Sequence, residues 1–151
     1  MNVIEIQETG GPEVFRLVER PLPELTGPDD IRVRLCAAGV NPIDTKIRQR
    51  GPMLPEGLPT VLGCDGAGVV EAVGEDVTRF KPGDEVWFCH GGLGGPAGNY
   101  AEYRVIDQQF VQAKPRAVGM VEAAAAPLVL LTAWEALHDR ARLAEGQRVL
   151  I

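Results

Sequence analysis

Cysteine, aromatic residues and clustered basic residues are all scarce in this sequence. Its 151 residues include three cysteines, Cys36, Cys64 and Cys89, which are odd in number and far apart along the chain. This pattern argues against a disulfide framework and predicts free thiols in a reducing cytoplasm. The net charge is −6. Because no block of lysines and arginines is present to neutralise phosphates, we expect no nucleic-acid partner.

A hydrophobic run long enough to cross a membrane is also missing. The longest apolar stretch, residues 123–133, is interrupted by Pro127 and Thr132, and it is shorter than the ~20 residues that a transmembrane helix needs. The N-terminus lacks the basic segment and the apolar core of a signal peptide. We therefore predict a cytoplasmic protein with no membrane partner.

Turn-forming residues, in contrast, are abundant, with 18 glycines and 12 prolines. Most of them lie in the first two thirds of the chain, where they separate short runs of β-prone residues. Regularly spaced short strands predict a mainly β domain that closes, or nearly closes, into a barrel. The predicted strands are residues 3–6, 14–18, 30–36, 69–73, 84–88 and 100–106.

Helical patterns replace the β pattern near Gly119. We predict a short helix at residues 121–126 and a second helix with Pro127 in its first turn, where its missing N–H has no cost. One face of the second helix carries apolar residues at helical spacing, namely Leu130, Ala133, Trp134 and Leu137. Residues 148–151 then read as the start of a buried parallel strand, so we expect the chain to be the front part of a larger protein.

Two glycine-rich segments have the composition of phosphate-binding loops but not their context. Residues 63–74 lack the third glycine of such a loop, and a predicted strand follows where a helix is required. Residues 92–97 match the spacing G-x-G-x-x-A, but Pro96 and Gly98 stand where the helix should begin. We interpret the first segment as a structural β corner and the second as an ordinary loop.

Asn41 is the most informative polar residue, because it ends a predicted strand and is followed by Pro42. One interpretation is a turn, with Asp44 as the N-cap of a helix at residues 45–49. The other interpretation is that Asn41 points a neutral hydrogen-bond donor into a cleft. The residues alone leave both open.

Metal binding is not favoured by the spacing of the candidate ligands. Structural zinc needs four cysteine or histidine ligands, usually in closely spaced pairs, and the sequence contains no C-x-x-C. The adjacent Cys89 and His90 would point apart on a strand. We expect Cys36 to be a small core residue and His138 to be a surface or capping residue.

Together, these segments resemble the medium-chain dehydrogenase/reductase superfamily, specifically its zinc-free, zeta-crystallin-like quinone oxidoreductase branch. The resemblance covers almost the whole chain and rests on several motifs in the expected order. These are Ala38-Gly39-Val40-Asn41-Pro42-Ile43-Asp44, Gly63-x-Asp65-Gly66-Ala67-Gly68-Val69-Val70, Phe80-Lys81-Pro82-Gly83-Asp84-x-Val86, Tyr100-Ala101-Glu102-Tyr103, and Ala123-Ala124-x-x-Pro127 with Thr132-Ala133-Trp134-x-Ala136-Leu137.

The resemblance implies a GroES-like barrel as the catalytic domain, residues 1–119. Residues 120–151 would be a helical connection and the first strand of an incomplete Rossmann domain that binds NADPH. The implied reaction is hydride transfer from NADPH to a small-molecule quinone or another conjugated carbonyl or enone, in a protein that is a homodimer at full length. The fragment alone is expected to be inactive, because the main cofactor site lies in the missing domain.

The resemblance also assigns roles to three side chains. Asn41 would donate to the acceptor oxygen or position the nicotinamide, and Thr132 would contact the nicotinamide carboxamide. Lys46 stands where the branch often has tyrosine, so it is either a cationic donor to the acceptor or a side chain facing solvent. Asp44 would hold the loop rather than react.

The zinc-dependent alcohol dehydrogenases of the same superfamily place a cysteine at the position of Asn41, a histidine at Cys64 and a third ligand at about Leu128. None of these ligands is kept in type, although Cys64 offers a thiol in place of the histidine. We therefore predict no zinc. Three alternatives stay open: a stand-alone GroES-like binding module, a structural protein of this family that has lost turnover, and a zinc-type alcohol dehydrogenase relative.

Overall fold

The computed structural model describes residues 1–53 and 57–150, and within them the mainly β prediction is confirmed. Eight strands are present in the described part of the chain. They are β1 (Asn2–Ile6), β2 (Phe15–Glu19), β3 (Asp30–Ala38), β4 (Thr60–Val61), β5 (Asp65–Val73), β6 (Glu85–Cys89), β7 (Tyr103–Asp107) and β8 (Gln112–Ala113). The three α-helices of this part are α1 (Pro42–Arg50), α2 (Met120–Ala124) and α3 (Pro127–Trp134).

The strands form two antiparallel sheets. The larger has the order β7-β3-β5-β6-β8 and the smaller the order β2-β1-β4. A single bridge between Val3 and Ala101 connects β1 to the segment that leads into β7. Alternate residues of the large sheet, together with Val111 just before β8, build one apolar core. Its members are Ile31, Val33, Val70, Val86, Phe88, Ile106 and Val111.

The small sheet and helix α1 share a second core. Ile6 is the last residue of β1, Val14 directly precedes β2, Ile47 lies in α1 and Leu62 follows β4. A third, smaller cluster packs α2 against β5 through Ala123, Ala124 and Ala67. These two clusters fix α1 and α2 against the sheets, and the polar site described below lies beside them.

The sequence predicted a strand from residue 69, but strand β5 begins four residues earlier, at Asp65. The reason is that Gly66 and Gly68 belong to the strand, since they allow β3 to approach closely. A Cβ atom at Gly68 would clash with the carbonyl oxygen of Arg34 on β3. Strand β7 begins at Tyr103 rather than at residue 100, because the backbone carbonyl of Tyr100 instead accepts a hydrogen bond from Ile4 of β1, at 2.8 Å.

The C-terminal helices occur where they were predicted, with Pro127 as the first residue of α3. The apolar face of α3, however, is not covered by the described residues, since Leu130 is 53% and Trp134 62% exposed. A π-helical segment, Glu135–Arg140, follows. The predicted strand at residues 148–151 is not formed over 148–150, where no neighbouring strand pairs with it, and Ile151 lies outside the described residues.

None of the helices in the described ranges has the length and apolar character that crossing a membrane requires.

Candidate functional site

Asn41 is held between two carboxylates. Its backbone N–H donates to Oδ2 of Asp44 at 2.7 Å, and its side-chain Nδ2 donates to Oδ2 of Asp65 at 2.9 Å. Asn41 is therefore the N-cap of α1, and Asp44 lies three residues inside the helix. The prediction that Asp44 would cap a helix starting at residue 45 is wrong, because Pro42 takes the first helical position, where its fixed φ suits the helix.

Asp44 connects this helix to the loop before β5. Its Oδ1 accepts the backbone N–H of Gly63 at 3.0 Å, and the side chain is buried. Gly63 has a φ of 96°, and a Cβ there would lie 2.6 Å from the ring of Tyr100. Only glycine fits that conformation and space without strain. Asp44 thus holds the loop, as the resemblance implied.

Asp65 is the central residue of the site. It is fully buried, and its two oxygens face different elements: Oδ2 accepts from Asn41, and Oδ1 accepts the backbone N–H of Leu128 in α3 at 2.9 Å. Burial raises the pKa of this carboxyl, and the nearby Asp44 adds to that effect, whereas the hydrogen bonds from Asn41, Cys89 and Leu128 act in the opposite direction. One carboxylate therefore joins β5, the start of α1 and the start of α3.

Thr132 is connected to the same group through Leu128. The Thr132 hydroxyl donates to the carbonyl oxygen of Leu128 at 3.0 Å, and the N–H of Leu128 donates to Asp65. The side chain of Thr132 is exposed on α3. The structure therefore links two of the three predicted site residues, Asn41 and Thr132, by a continuous chain of hydrogen bonds.

Lys46 is not part of this chain of bonds. It lies on α1 with an exposed side chain. Asp65 was not assigned a role from the sequence, although a signal was present: it is an acidic residue among small residues at the start of a strand that the core requires to be apolar. Such a residue, if buried, needs partners for its oxygens.

Two of the three cysteines lie beside the site as protonated thiols. Burial raises the pKa of Cys64 to about 12, and the carboxylates of Asp44 and Asp65 contribute to this shift. The pKa of Cys89 is likewise raised to about 12, by burial first and then by Asp65. Cys36 was predicted to be a core residue and is instead exposed, because it shares the outward face of β3 with Arg34.

Each histidine lies against an aromatic ring, stacked in the case of His90 and tilted in the case of His138. The ring of His90 lies 4.4 Å from that of Phe110, centroid to centroid, and burial followed by the neighbouring Arg104 lowers the pKa of His90. His138 is exposed, as predicted, and its ring lies 4.3 Å from that of Trp134. Across residues 1–53 and 57–150, no group of three or more His, Cys, Asp or Glu side chains is placed to hold a metal ion.

The glycine-rich segment at residues 92–97 is a loop, as predicted, and no helix follows it. Gly92 has a φ of 77° and packs against the backbone of Gly63. The glycines of this loop therefore serve close packing against the segment before β5. An apolar groove of about 400 Å³ lies between β6 and α3, and its lining includes Trp87, Cys89, Phe110, Leu130 and Trp134.

Comparison with known proteins places this arrangement in a family. Residues 27–116 match the alcohol dehydrogenase GroES-like domain. The chain is 40% identical over 147 residues to a quinone oxidoreductase of Pseudomonas aeruginosa, covering 97% of this chain and 43% of that protein. It is 38% identical over 146 residues to a zinc-type alcohol dehydrogenase-like protein of Staphylococcus aureus strain COL, covering 91% of this chain and 41% of that protein.

A solved structure shows the same likeness in three dimensions. The quinone oxidoreductase of Escherichia coli, in complex with NADPH, superimposes with a TM-score of 0.80 and 36% sequence identity, covering 91% of this chain and 40% of that one. The chain thus spans less than half the length of these relatives. The matches show that the chain belongs to the alcohol dehydrogenase GroES-like domain family, within the medium-chain dehydrogenase/reductase superfamily.

Proposed function

We propose that the intact protein is a zinc-free, NADPH-dependent oxidoreductase that transfers hydride to a quinone or another conjugated carbonyl or enone. The observation that carries the proposal is the linkage of Asn41 to Thr132 through Asp65. It holds an amide and a hydroxyl in a fixed relation, as the binding of a cofactor ring beside an acceptor requires. The similarity to proteins named quinone oxidoreductase supports this choice of reaction.

Reduction of a conjugated carbonyl builds negative charge on its oxygen, and a fixed hydrogen-bond donor stabilises that charge. Asn41 gives one side-chain N–H to Asp65, and an amide nitrogen carries two, so one N–H is left for the acceptor or the nicotinamide. Lys46, exposed on α1, supplies a cationic donor in the proposal. Thr132 contacts the nicotinamide carboxamide, and NADPH when bound supplies the hydride.

The described residues fit the nicotinamide end of the cofactor rather than its phosphates. A pyrophosphate is normally bound at a helix N-terminus that follows a glycine-rich turn, and the loop at residues 92–97 leads into no helix. We therefore expect the 151-residue chain alone to bind NADPH weakly and to be inactive. Micromolar binding of NADPH by this chain would contradict that expectation.

The arrangement at the Asn41 position supports the absence of zinc. Zinc in proteins is bound by Cys, His, Asp or Glu side chains, and of residues 41, 64 and 128 only Cys64 has such a side chain, while both oxygens of Asp65 already accept N–H groups. The zinc-type alternative is kept because of the Staphylococcus aureus relative. A cytoplasmic location and a homodimer at full length complete the proposal.

The test is NADPH oxidation by the intact protein, with quinones and enones as acceptors. Asn41→Ala should lower turnover, Thr132→Ala should raise the KM for NADPH, and Lys46→Met should weaken use of the acceptor. Lys81→Met is the control for Lys46, because Lys81 is also an exposed lysine but lies in the turn before β6. Wild-type turnover in Asn41→Ala, with Thr132→Ala impaired, would show that the role of Asn41 is wrong.

If no acceptor supports NADPH oxidation, the enzyme proposal fails. The stand-alone binding module and the structural protein without turnover then become the better interpretations of the same fold.

A further inference from the structure

The carboxylate of Asp65 occupies an unusual position, because it is fully buried and yet lies between two residues of the proposed site. A buried carboxylate is costly unless its oxygens are hydrogen-bonded. Here Asn41 and Leu128 supply the N–H groups, at 2.9 Å each. The chain therefore contains a buried acid whose bonds are directed at α1 and α3 rather than within its own strand.

An ionised carboxylate only accepts hydrogen bonds. The group of Asn41 that faces Asp65 must then be the NH2, so the orientation of the amide is fixed and its oxygen is turned away from Asp65. Without this constraint an asparagine side chain can rotate and present either end to a ligand. Asp65 thus holds one N–H of the amide and leaves one N–H for a ligand, because the amide oxygen faces the first turn of α1, where the backbone N–H of Asp44 completes a capping box.

The second oxygen of Asp65 acts on α3. It accepts the N–H of Leu128, one of the first N–H groups of the helix, which have no partner inside the helix itself. The carbonyl of the same residue accepts the hydroxyl of Thr132 one turn later. Gly39, the residue after β3, packs closely beside this junction, since a Cβ there would clash with the carbonyl oxygen of Ala124 in α2 and lie 2.9 Å from Cβ of Asp65.

From these contacts we infer that Asp65 is a positioning residue, which fixes the amide of Asn41 so that its second N–H is available to the ligand and fixes the start of α3, the helix that carries Thr132. The ligand chemistry that fits the remaining N–H of Asn41 is an acceptor oxygen, such as the carbonyl of a primary carboxamide. The inference rests on the proposed function for the identity of that ligand, but the orientation of the amide can be measured without it.

The decisive variant is Asp65→Asn, which keeps the size of the side chain and an acceptor oxygen for Leu128. Its NH2 can donate to the oxygen of Asn41, so the amide of Asn41 is free to turn over. The matched control is Glu102→Gln, because the carboxylate of Glu102 also accepts from an asparagine, Asn2, but at an exposed site.

The first measurement is NMR of the side-chain NH2 of Asn41 in the 151-residue chain. These resonances should move as Asp65 is protonated at low pH, with a midpoint above the usual range of aspartic acid. Four other titratable groups surround Asp65, and of these only Asp44 is a carboxylic acid. They are Asp44, Cys64, Cys89 and Tyr100.

In the Asp65→Asn variant, the pH-dependent shift of the Asn41 NH2 resonances that comes from protonation of Asp65 should disappear. The NH2 of Asn99 is the internal reference, because it donates to the backbone carbonyl of Cys64 rather than to a carboxylate. If the Asn41 resonances respond to pH in the variant as they do in the parent chain, the inference is wrong, whatever the protein catalyses.

The second measurement uses the intact enzyme. Asp65→Asn should lower kcat/KM for NADPH oxidation about tenfold or more, as expected for a misplaced contact, whereas Glu102→Gln should leave it unchanged. In an Asn41→Ala background, Asp65→Asn should cause a much smaller further loss of kcat/KM, because its effect on the wild-type enzyme acts through Asn41. A full additional loss in the double variant would overturn the inference, and a lack of any NADPH oxidation would count against the proposed function alone.

Discussion

The guanidinium of Arg20 lies 2.6 Å from the carboxylate of Glu5, measured from Nη2 to Oε2. Glu5 is on the central strand of the small sheet and is buried, while the side chain of Arg20 is 48% exposed. Burial by itself would raise the pKa of Glu5, but hydrogen bonds from Arg20 and Gln7 lower it below its ordinary value. The pair therefore keeps a charge in place inside the small sheet.

Arg20→Ala should destabilise the chain, because it leaves the buried carboxylate of Glu5 without its charged partner. The expected loss in the free energy of unfolding is about 2 kcal/mol, the range for a hydrogen bond to a charged group. Arg140→Ala is the control, since both members of the Arg140–Glu135 pair are exposed and such pairs contribute little. Urea unfolding measures both, and equal losses would contradict the prediction.

The same pair predicts a dependence of stability on pH. Because the pKa of Glu5 is lower in the folded chain than in the unfolded one, its contribution is present above the unfolded pKa and is lost as the pH falls through the folded pKa. Arg20→Ala should therefore lose less stability on acidification than the parent chain does. The measurement is the free energy of unfolding of the parent chain and of Arg20→Ala, at neutral pH and below about pH 4, near the ordinary pKa of glutamic acid.

Gly68→Ala should disrupt the pairing of β5 with β3. The added methyl group would meet the backbone of Arg34, which cannot move without breaking the strand pairing. A loss of about 1–3 kcal/mol in stability is expected, as for overpacked cores. Gly27→Ala is the matched control, because its added Cβ would lie 3.6 Å from the nearest atom, an ordinary contact with Asp30. A stable Gly68→Ala variant would show that the strands can separate at this point.

Cys36 should be the first cysteine to react with an alkylating reagent at mildly alkaline pH. It is exposed, whereas burial of Cys64 and Cys89 raises the pKa of both to about 12 and keeps them as unreactive thiols. Peptide mass spectrometry after brief iodoacetamide treatment identifies the modified residue. All three should react in urea, and rapid labelling of Cys64 in the folded chain would contradict the structure.

Elemental analysis of the intact protein should find no stoichiometric zinc. The reason is that, of residues 41, 64 and 128, only Cys64 has a side chain that binds zinc, and both oxygens of Asp65 already accept N–H groups. About one tightly bound equivalent of zinc would overturn the zinc-free proposal and favour the zinc-type alternative.

Features of the fold that depend on neighbouring residues were predicted from the sequence, whereas features that depend on distant contacts were missed. Strand β3 was predicted well, because its alternating pattern is a property of neighbouring residues. The start of β5 was missed, since the role of Gly66 and Gly68 depends on how close β3 comes. The mistake at Cys36 has a different cause: its residue type suggested the core, whereas the alternation of β3 already placed it on the outer face.

In the candidate site, too, local features were predicted and contacts between distant residues were not. Asn41 was identified from its motif, but its partner Asp65 is more than twenty residues away, and Leu128 more than sixty residues further. Sequence spacing carries no information about such a contact. The apolar face of α3 with Leu130 and Trp134 was predicted from its helical spacing. Its exposure was not predicted, because exposure depends on which other elements pack against that face.

The bonds of Asp65 also constrain how this family can diverge. By resemblance, positions 41, 64 and 128 are those at which the zinc-dependent branch carries its ligands, and here positions 41 and 128 are joined by one carboxylate. Replacing Asn41 alone by a cysteine would remove the N–H that Oδ2 of Asp65 accepts, and replacing Asp65 by a residue without an acceptor oxygen would remove its bonds to the starts of both helices. A first substitution toward the zinc-binding set of side chains would therefore lower the stability of this chain, unless a neighbouring residue replaces the lost hydrogen bond.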